Sequence, residues 1–169
     1  RHVASRDSAR IGESLYWIAR INADRRNLDT AESYAAQSID APPHEFTDDA
    51  LYLRGWILEG REEIDSAATL YRRITDDYPE SDLALDAQFR LGVIEARRGE
   101  YESARRLLTS LTPESDRQRE EQLFYLAEVN SALNDYPTAL DQYNQFLRRF
   151  PTSSRGRSAR YGAGWAQLQ

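Results

Sequence analysis

The chain has 169 residues, no cysteine and a net charge of −6 at pH 7. The lack of cysteine in the sequence excludes disulfides, thiolate metal sites and cysteine nucleophiles, and a negative net charge disfavours general binding to nucleic acid. All 22 basic residues are arginine, which indicates either the codon bias of a GC-rich genome or a high-salt habitat. No apolar run is long enough to predict a membrane-spanning helix.

The apolar pattern predicts helices along the whole chain. Apolar residues recur every three or four positions, which is the period of an amphipathic helix. In chain order, the predicted helices cover residues 7–24, 28–40, 46–59, 63–77, 82–98, 101–111, 113–133, 137–149 and 155–168. The residues expected to form the buried stripes of the first, fifth and seventh helices are Ile18 and Ile21, Leu91 and Ile94, and Leu126 and Val129.

Short turns separate the helices within each predicted pair. Gly60, Gly99 and Asn134 lie in three of these turns, and glycine and asparagine tolerate the left-handed conformation that ends a helix. Asp135 is expected to cap the next helix, and Pro137 to lie in its first turn, where a missing N–H costs nothing. The turns therefore predict helical hairpins.

A sequence repeat organises these helices. The pattern Ala-x-aromatic-x-x-Gly occurs at residues 50–55, 87–92 and 159–164. When the small residue is numbered position 8, the units begin at residues 12, 48, 85, 120 and 157. Position 20 is an alanine in every complete unit, namely Ala31, Ala67, Ala104 and Ala139. Small residues at both positions let two helices approach closely, so the sequence predicts stacked helix pairs.

This repeat resembles the tetratricopeptide repeat family over residues 12–169. The residues that carry the resemblance are Ala87, Phe89, Leu91, Gly92, Gly99, Tyr101 and Ala104 of the third unit. The junctions at residues 78–81 (Tyr-Pro-Glu-Ser) and 150–153 (Phe-Pro-Thr-Ser) resemble a bacterial subset of the family. That subset includes the outer-membrane assembly lipoprotein and the Tol–Pal-associated division coordinator. Arg54 departs from the family pattern, because position 7 is usually apolar.

The resemblance implies an all-α fold, a right-handed α-solenoid of stacked antiparallel helix pairs. We expect one domain over residues 1–169, with about four full repeats plus one helix, as a piece of a longer protein. The last helix lacks a partner in this sequence. Part of its stripe of Tyr161, Trp165 and Leu168 is therefore expected to be uncovered and to pair with another copy of the chain.

The resemblance also implies that the first helix of each pair lines a concave surface. The expected partner-binding residues are Tyr16, Arg20, Asp49, Tyr52, Trp56, Asp86, Phe89, Arg97, Phe124 and Glu128. Aromatic rings flanked by carboxylates suit a segment with apolar and basic residues. In the alternative interpretation, the aromatic residue at position 5 packs against the neighbouring repeat. The acidic inner positions argue against the binding of C-terminal carboxylates that some family members perform.

No pattern of catalytic, metal-binding or cofactor-binding residues occurs in the sequence. His2 and His44 have no partners at metal or triad spacing, and both are expected at the surface. The sequence thus predicts a non-enzymatic protein-interaction scaffold without a cofactor, whose partner is a protein or peptide. Envelope assembly is the suggested setting, while the compartment, periplasmic or cytoplasmic, stays open. The alternatives are a helical platform of a larger cell-wall or polysaccharide-processing enzyme, and carbohydrate binding by Tyr52 and Trp56.

Overall fold

The computed structural model describes the backbone of residues 2–169 and the side chains from Arg10 onward. This part of the chain forms nine α-helices: α1 (His2–Asp24), α2 (Leu28–Asp40), α3 (Thr47–Gly60), α4 (Ile64–Asp77), α5 (Ala84–Arg97), α6 (Tyr101–Thr109), α7 (Asp116–Ala132), α8 (Tyr136–Arg149) and α9 (Gly156–Leu168). The all-helical prediction is confirmed. Most helix ends lie within three residues of the predicted ones, and the largest difference is the start of α1 at His2 rather than at residue 7.

The helices follow one another as antiparallel pairs, giving about four repeats plus one helix. The chain divides into two compact units, Arg1–Ala87 (unit 1) and Gln88–Gln169 (unit 2), with the boundary inside α5. Among the described residues, no helix is long and apolar enough to cross a membrane.

Close approach of small residues holds the helix pairs together, as predicted. Ala31, Ala67, Ala104 and Ala139 at position 20 are all fully buried. At position 8, Ala19 shares a core cluster with Ala31 in unit 1, and Ala127 shares one with Ala139 in unit 2. A methyl group added to Gly92 would lie 2.8 Å from the Leu108 side chain, so the α5 and α6 axes lie too close together there for a larger residue.

Each complete repeat turns between its two helices in the same way. The residue at position 15 has a left-handed backbone in all four turns, with φ of 65°, 63°, 82° and 62° at Arg26, Glu62, Gly99 and Asn134. The expectation for Gly60 was therefore wrong, because Gly60 is the last residue of α3 and Glu62 makes the turn. Asp135 caps α8 and Pro137 lies in its first turn, as predicted.

One predicted core stripe lies at the surface. Ile18 and Ile21 of α1 are 39% and 47% exposed. Ile21 occupies position 10 of its repeat. The residues at position 10 of two later repeats, Ile57 and Val129, are only 1% exposed. Ile57 belongs to the core formed by α1, α2 and α3. Position 10 therefore depends on a preceding helix pair for its burial. Because α1 is the first described helix, the prediction for Ile18 and Ile21 was wrong.

His44 also differs from the expectation of an exposed turn residue, because it joins three helices of unit 1. Its Nδ1 accepts the backbone N–H of Phe46 at 3.2 Å, and its Nε2 lies 3.2 Å from the carbonyl oxygen of Ser38. The Ser38 hydroxyl donates to the carbonyl of Gly12 at 2.8 Å. A methyl group on Gly12 would lie 2.6 Å from Nε2, so glycine provides the space that the imidazole fills.

Candidate protein-binding groove

Unit 2 carries a surface groove made of two neighbouring depressions. The narrower, about 250 Å³, lies between α5 and α7, and the wider, about 440 Å³, lies between α7 and α9. The narrower is lined by Val93, Ala96, Arg97, Tyr101, Tyr125, Glu128, Val129 and Ala132, and the wider by Glu128, Ser131, Tyr143, Arg157, Ser158, Tyr161, Gly162 and Trp165. Glu128, whose side chain ends in a carboxylate, lines both depressions.

A buried tyrosine holds this carboxylate in place. The Tyr143 hydroxyl donates a hydrogen bond of 2.6 Å to Oε1 of Glu128, while the rest of the tyrosine is packed in the core and is 1% exposed. Burial raises the pKa of Tyr143 well above its ordinary value, and the hydrogen bond and negative charge of Glu128 raise it further. The hydroxyl therefore stays protonated and acts as a fixed donor to Glu128.

The wider depression has an aromatic wall on α9. Tyr161 is 77% exposed and Trp165 is 49% exposed. Gly162 lies between them and gives the Tyr143 ring its space, since a methyl group there would lie 2.6 Å from the hydroxyl oxygen. The predicted exposure of the Tyr161, Trp165 and Leu168 stripe is confirmed. Tyr161 and Trp165, however, line the groove. The uncovered side of α9 lies at Gly164 instead, where an added methyl group would have no neighbouring atom within 4 Å.

Of the site residues predicted in unit 2, two line the groove and two support it. Arg97 and Glu128 are lining residues. Phe89 is 8% exposed and packs edge-on against Tyr125, with ring centroids 5.4 Å apart. Phe124 packs against Phe146 and lies under the guanidinium of Arg155, 5.7 Å from the ring centroid. Both phenylalanines therefore pack within the fold, as the alternative interpretation of the aromatic residue at position 5 expects.

In unit 1, a hydrogen bond joins two of the predicted residues, Tyr16 of α1 and Asp49 of α3. Tyr16 is 5% exposed, stacks on Phe46 at 5.1 Å and donates its hydroxyl to Oδ1 of Asp49 at 3.3 Å. Burial raises the pKa of Tyr16 and, with the nearby charge of Asp48, that of Asp49. Tyr16 therefore positions a carboxylate in unit 1, as Tyr143 does in unit 2.

The remaining predicted residues of unit 1 differ in their accessibility. Trp56 is 44% exposed. Tyr52 is half-buried and packs against Tyr71, with ring centroids 5.5 Å apart. Arg20 is exposed and pairs with Asp24 at 3.5 Å. Asp86 is half-buried in the first turn of α5. Trp56 and Arg20 are therefore the predicted residues of unit 1 that a partner can reach most easily.

The predicted partner-binding residues include Glu128 of the wider depression but not Tyr143, Arg157, Tyr161 or Trp165, which also line it. Trp165 was detectable, because it occupies position 9 of the last unit, as Trp56 does in the second. Tyr143 carried no such signal, because its role depends on a contact with Glu128 fifteen residues earlier. Among the described residues, no group of three or more histidine, aspartate and glutamate side chains is placed to hold a metal ion.

Comparison with known families agrees with the geometry. One tetratricopeptide repeat profile matches residues 24–82 and 52–118, and a second profile of the same description matches residues 123–153. Because these matches cover more than half of the sequence, the chain belongs to the tetratricopeptide repeat family. No curated protein matches the chain. The matches are to the repeat family as a whole and not to its bacterial envelope members.

Proposed function

We propose that the chain is a protein-interaction scaffold whose unit 2 binds a peptide or protein segment in the groove between α5, α7 and α9. The observation that carries this proposal is the pairing of exposed aromatic rings, Tyr161 and Trp165, with a carboxylate held by a buried hydroxyl. Truncation of an aromatic hot-spot residue to alanine costs about 2 kcal/mol or more of binding free energy. Tetratricopeptide repeats in general act as non-catalytic scaffolds for other proteins, and the family matches support this assignment.

A second contact surface is proposed on α1 and α3 of unit 1. Trp56 is its exposed aromatic ring, Arg20 and Asp49 are its charged groups, and Tyr52 is accessible in part. Tyr16 positions Asp49 by hydrogen bonding. The remaining predicted residues, Asp86, Phe89 and Phe124, act through packing and charge near the surface rather than as exposed anchors.

We also propose that the scaffold works in bacterial envelope assembly. The support is that two junctions, at residues 78–81 and 150–153, resemble those of envelope members of the family. In both junctions, a serine hydroxyl donates a hydrogen bond to an acidic side chain. The Ser81 hydroxyl donates to Asp48, and the Ser153 hydroxyl donates to Glu120 at 2.6 Å. Fractionation of cells that express the native gene tests this setting: recovery in the envelope fraction supports it, and recovery only in the cytosol contradicts it.

Selection of short peptides from a random phage-displayed library tests the binding function. The whole chain is immobilised beside a Tyr161→Ala/Trp165→Ala variant and an Arg148→Ala variant. Arg148 is exposed on α8 and lines neither depression. We expect enrichment on the native chain and on the Arg148 variant, and its loss on the aromatic variant. Absence of enrichment, or equal enrichment on all three proteins, contradicts binding in the groove.

A further inference from the structure

The wider depression of the groove contains a negative charge without an ion-pair partner. Glu128 is exposed, and none of the described arginines lies within 4.0 Å of its carboxylate. We propose that this depression receives an arginine or lysine side chain of the bound segment, with the cation on Glu128 and its aliphatic stem against Tyr161 and Trp165. This inference rests on the proposed binding of a segment in the groove.

The geometry at Glu128 leaves one oxygen available for a ligand. Oε1 accepts the Tyr143 hydroxyl at 2.6 Å, while Oε2 has no hydrogen-bond partner among the described residues. A carboxylate has about four acceptor positions on its two oxygens. Because the donor tyrosine is fixed in the core, the carboxylate is held before the ligand arrives, and less conformational freedom is lost on binding. A guanidinium or ammonium group is the partner that such a carboxylate binds most strongly.

The aromatic wall suits the same ligand. Neither Tyr161 nor Trp165 stacks on another ring within the described part of the chain, and both side chains are exposed. A cation close to the face of an indole or phenol ring is attracted by the electrons of the ring, and the stems of arginine and lysine cover apolar surface. Two exposed rings beside one carboxylate therefore favour a long basic side chain over a purely apolar one.

Arg157 also lines the wider depression, and it favours a different group of the same segment. It is exposed in the first turn of α9 and makes no ion pair with a described residue. In the competing arrangement, an acidic side chain of the bound segment pairs with Arg157. We favour the cation on Glu128 because Glu128 is held by Tyr143 and lines both depressions, whereas no hydrogen bond with a described residue holds the Arg157 side chain.

The peptides selected on the native chain provide the probe. Each arginine and lysine of a selected peptide is replaced by glutamine in turn, and the affinities are measured by fluorescence anisotropy on the native chain and on Glu128→Gln. Glutamine at 128 keeps an oxygen that accepts the Tyr143 hydroxyl. The control is Glu102→Gln, which removes the same charge from an exposed position of α6 outside the groove.

We expect one basic position whose replacement weakens binding about tenfold on the native chain, the change expected for a charge-assisted hydrogen bond. On Glu128→Gln, the same replacement should cost less than about twofold, because the two groups are coupled. Glu102→Gln should bind like the native chain. Selected peptides in which no basic position is coupled to Glu128 overturn this inference and leave groove binding intact. Failure to select any peptide overturns both.

Discussion

Two glycines of α9 lie in opposite environments, and alanine at each position tests the packing that forms the groove wall. At Gly162, a methyl group would lie 2.6 Å from the Tyr143 hydroxyl oxygen and 2.7 Å from a carbon of its ring. At Gly164, no atom would lie within 4 Å of an added methyl group. Both residues are inside the same helix, so they share the intrinsic preference of a helix for alanine over glycine.

The magnitudes of the two effects separate the variants. Alanine at a helix-interior position stabilises by up to about 1 kcal/mol over glycine, so Gly164→Ala should raise the free energy of unfolding by about 0.5–1 kcal/mol. Gly162→Ala has the same gain in helix stability, but its methyl group would clash with Tyr143. That side chain is 1% exposed, and its hydroxyl is hydrogen-bonded to Glu128, so it has little room to move. Overpacking of this kind costs about 1–3 kcal/mol, so the two variants should differ by about that amount.

Urea unfolding measures this difference, followed by far-UV circular dichroism and by the fluorescence of Trp165. Trp17→Phe and Trp56→Phe in the background remove the tryptophans of unit 1, and both are exposed enough to tolerate the change. The fluorescence then reports on unit 2 alone. If Gly162→Ala is stabilised as much as Gly164→Ala, then Tyr143 does not abut Gly162, and the proposed wall of the groove is wrong.

Two further predictions concern unit 1. His44→Ala leaves the N–H of Phe46 without its acceptor and should lower stability by about 1–3 kcal/mol in urea unfolding; no change relative to the exposed control Glu45→Ala contradicts the joining role of the imidazole. Because burial raises the pKa of Asp49 above its usual 3.8, the folded state holds this proton more tightly than the unfolded chain, and ionisation costs stability. Asp49→Asn should therefore melt at a higher temperature than the native chain at pH 7, and this advantage should shrink as the pH falls towards 3.8. An equal advantage at both pH values contradicts the burial of this charge.

The fold could be predicted from sequence because its determinants are local and periodic. Helices follow from apolar spacing, and the close approach within pairs follows from alanine at position 20 in every complete repeat, all four of which are buried. Turn chemistry identified Asn134 and Asp135 correctly. It failed at Glu62, since glutamate does not indicate a left-handed turn. The position within the repeat would have predicted the left-handed turn at Glu62, since Glu62 occupies position 15 as Gly99 and Asn134 do.

The site was harder to predict because its properties depend on which neighbours cover each residue. Position 5 is aromatic in every repeat, yet Tyr16 and Phe89 are buried while Tyr161 is 77% exposed. Ile18 and Ile21 match core positions of later repeats but lie at the surface for the same reason. The sequence pattern identifies the position within the repeat, and packing against adjacent helices decides whether that position is core or surface.

Site-specific photo-crosslinking tests the central claim most directly. A photoreactive phenylalanine derivative is placed at Trp165 in the groove or at Arg148 on α8, in the otherwise native chain, and is irradiated with a selected peptide bound. We predict that the derivative at position 165 captures the peptide and that the one at position 148 does not. Capture at position 148 with none at 165 would place the bound segment on the second helices and contradict the groove as the binding site.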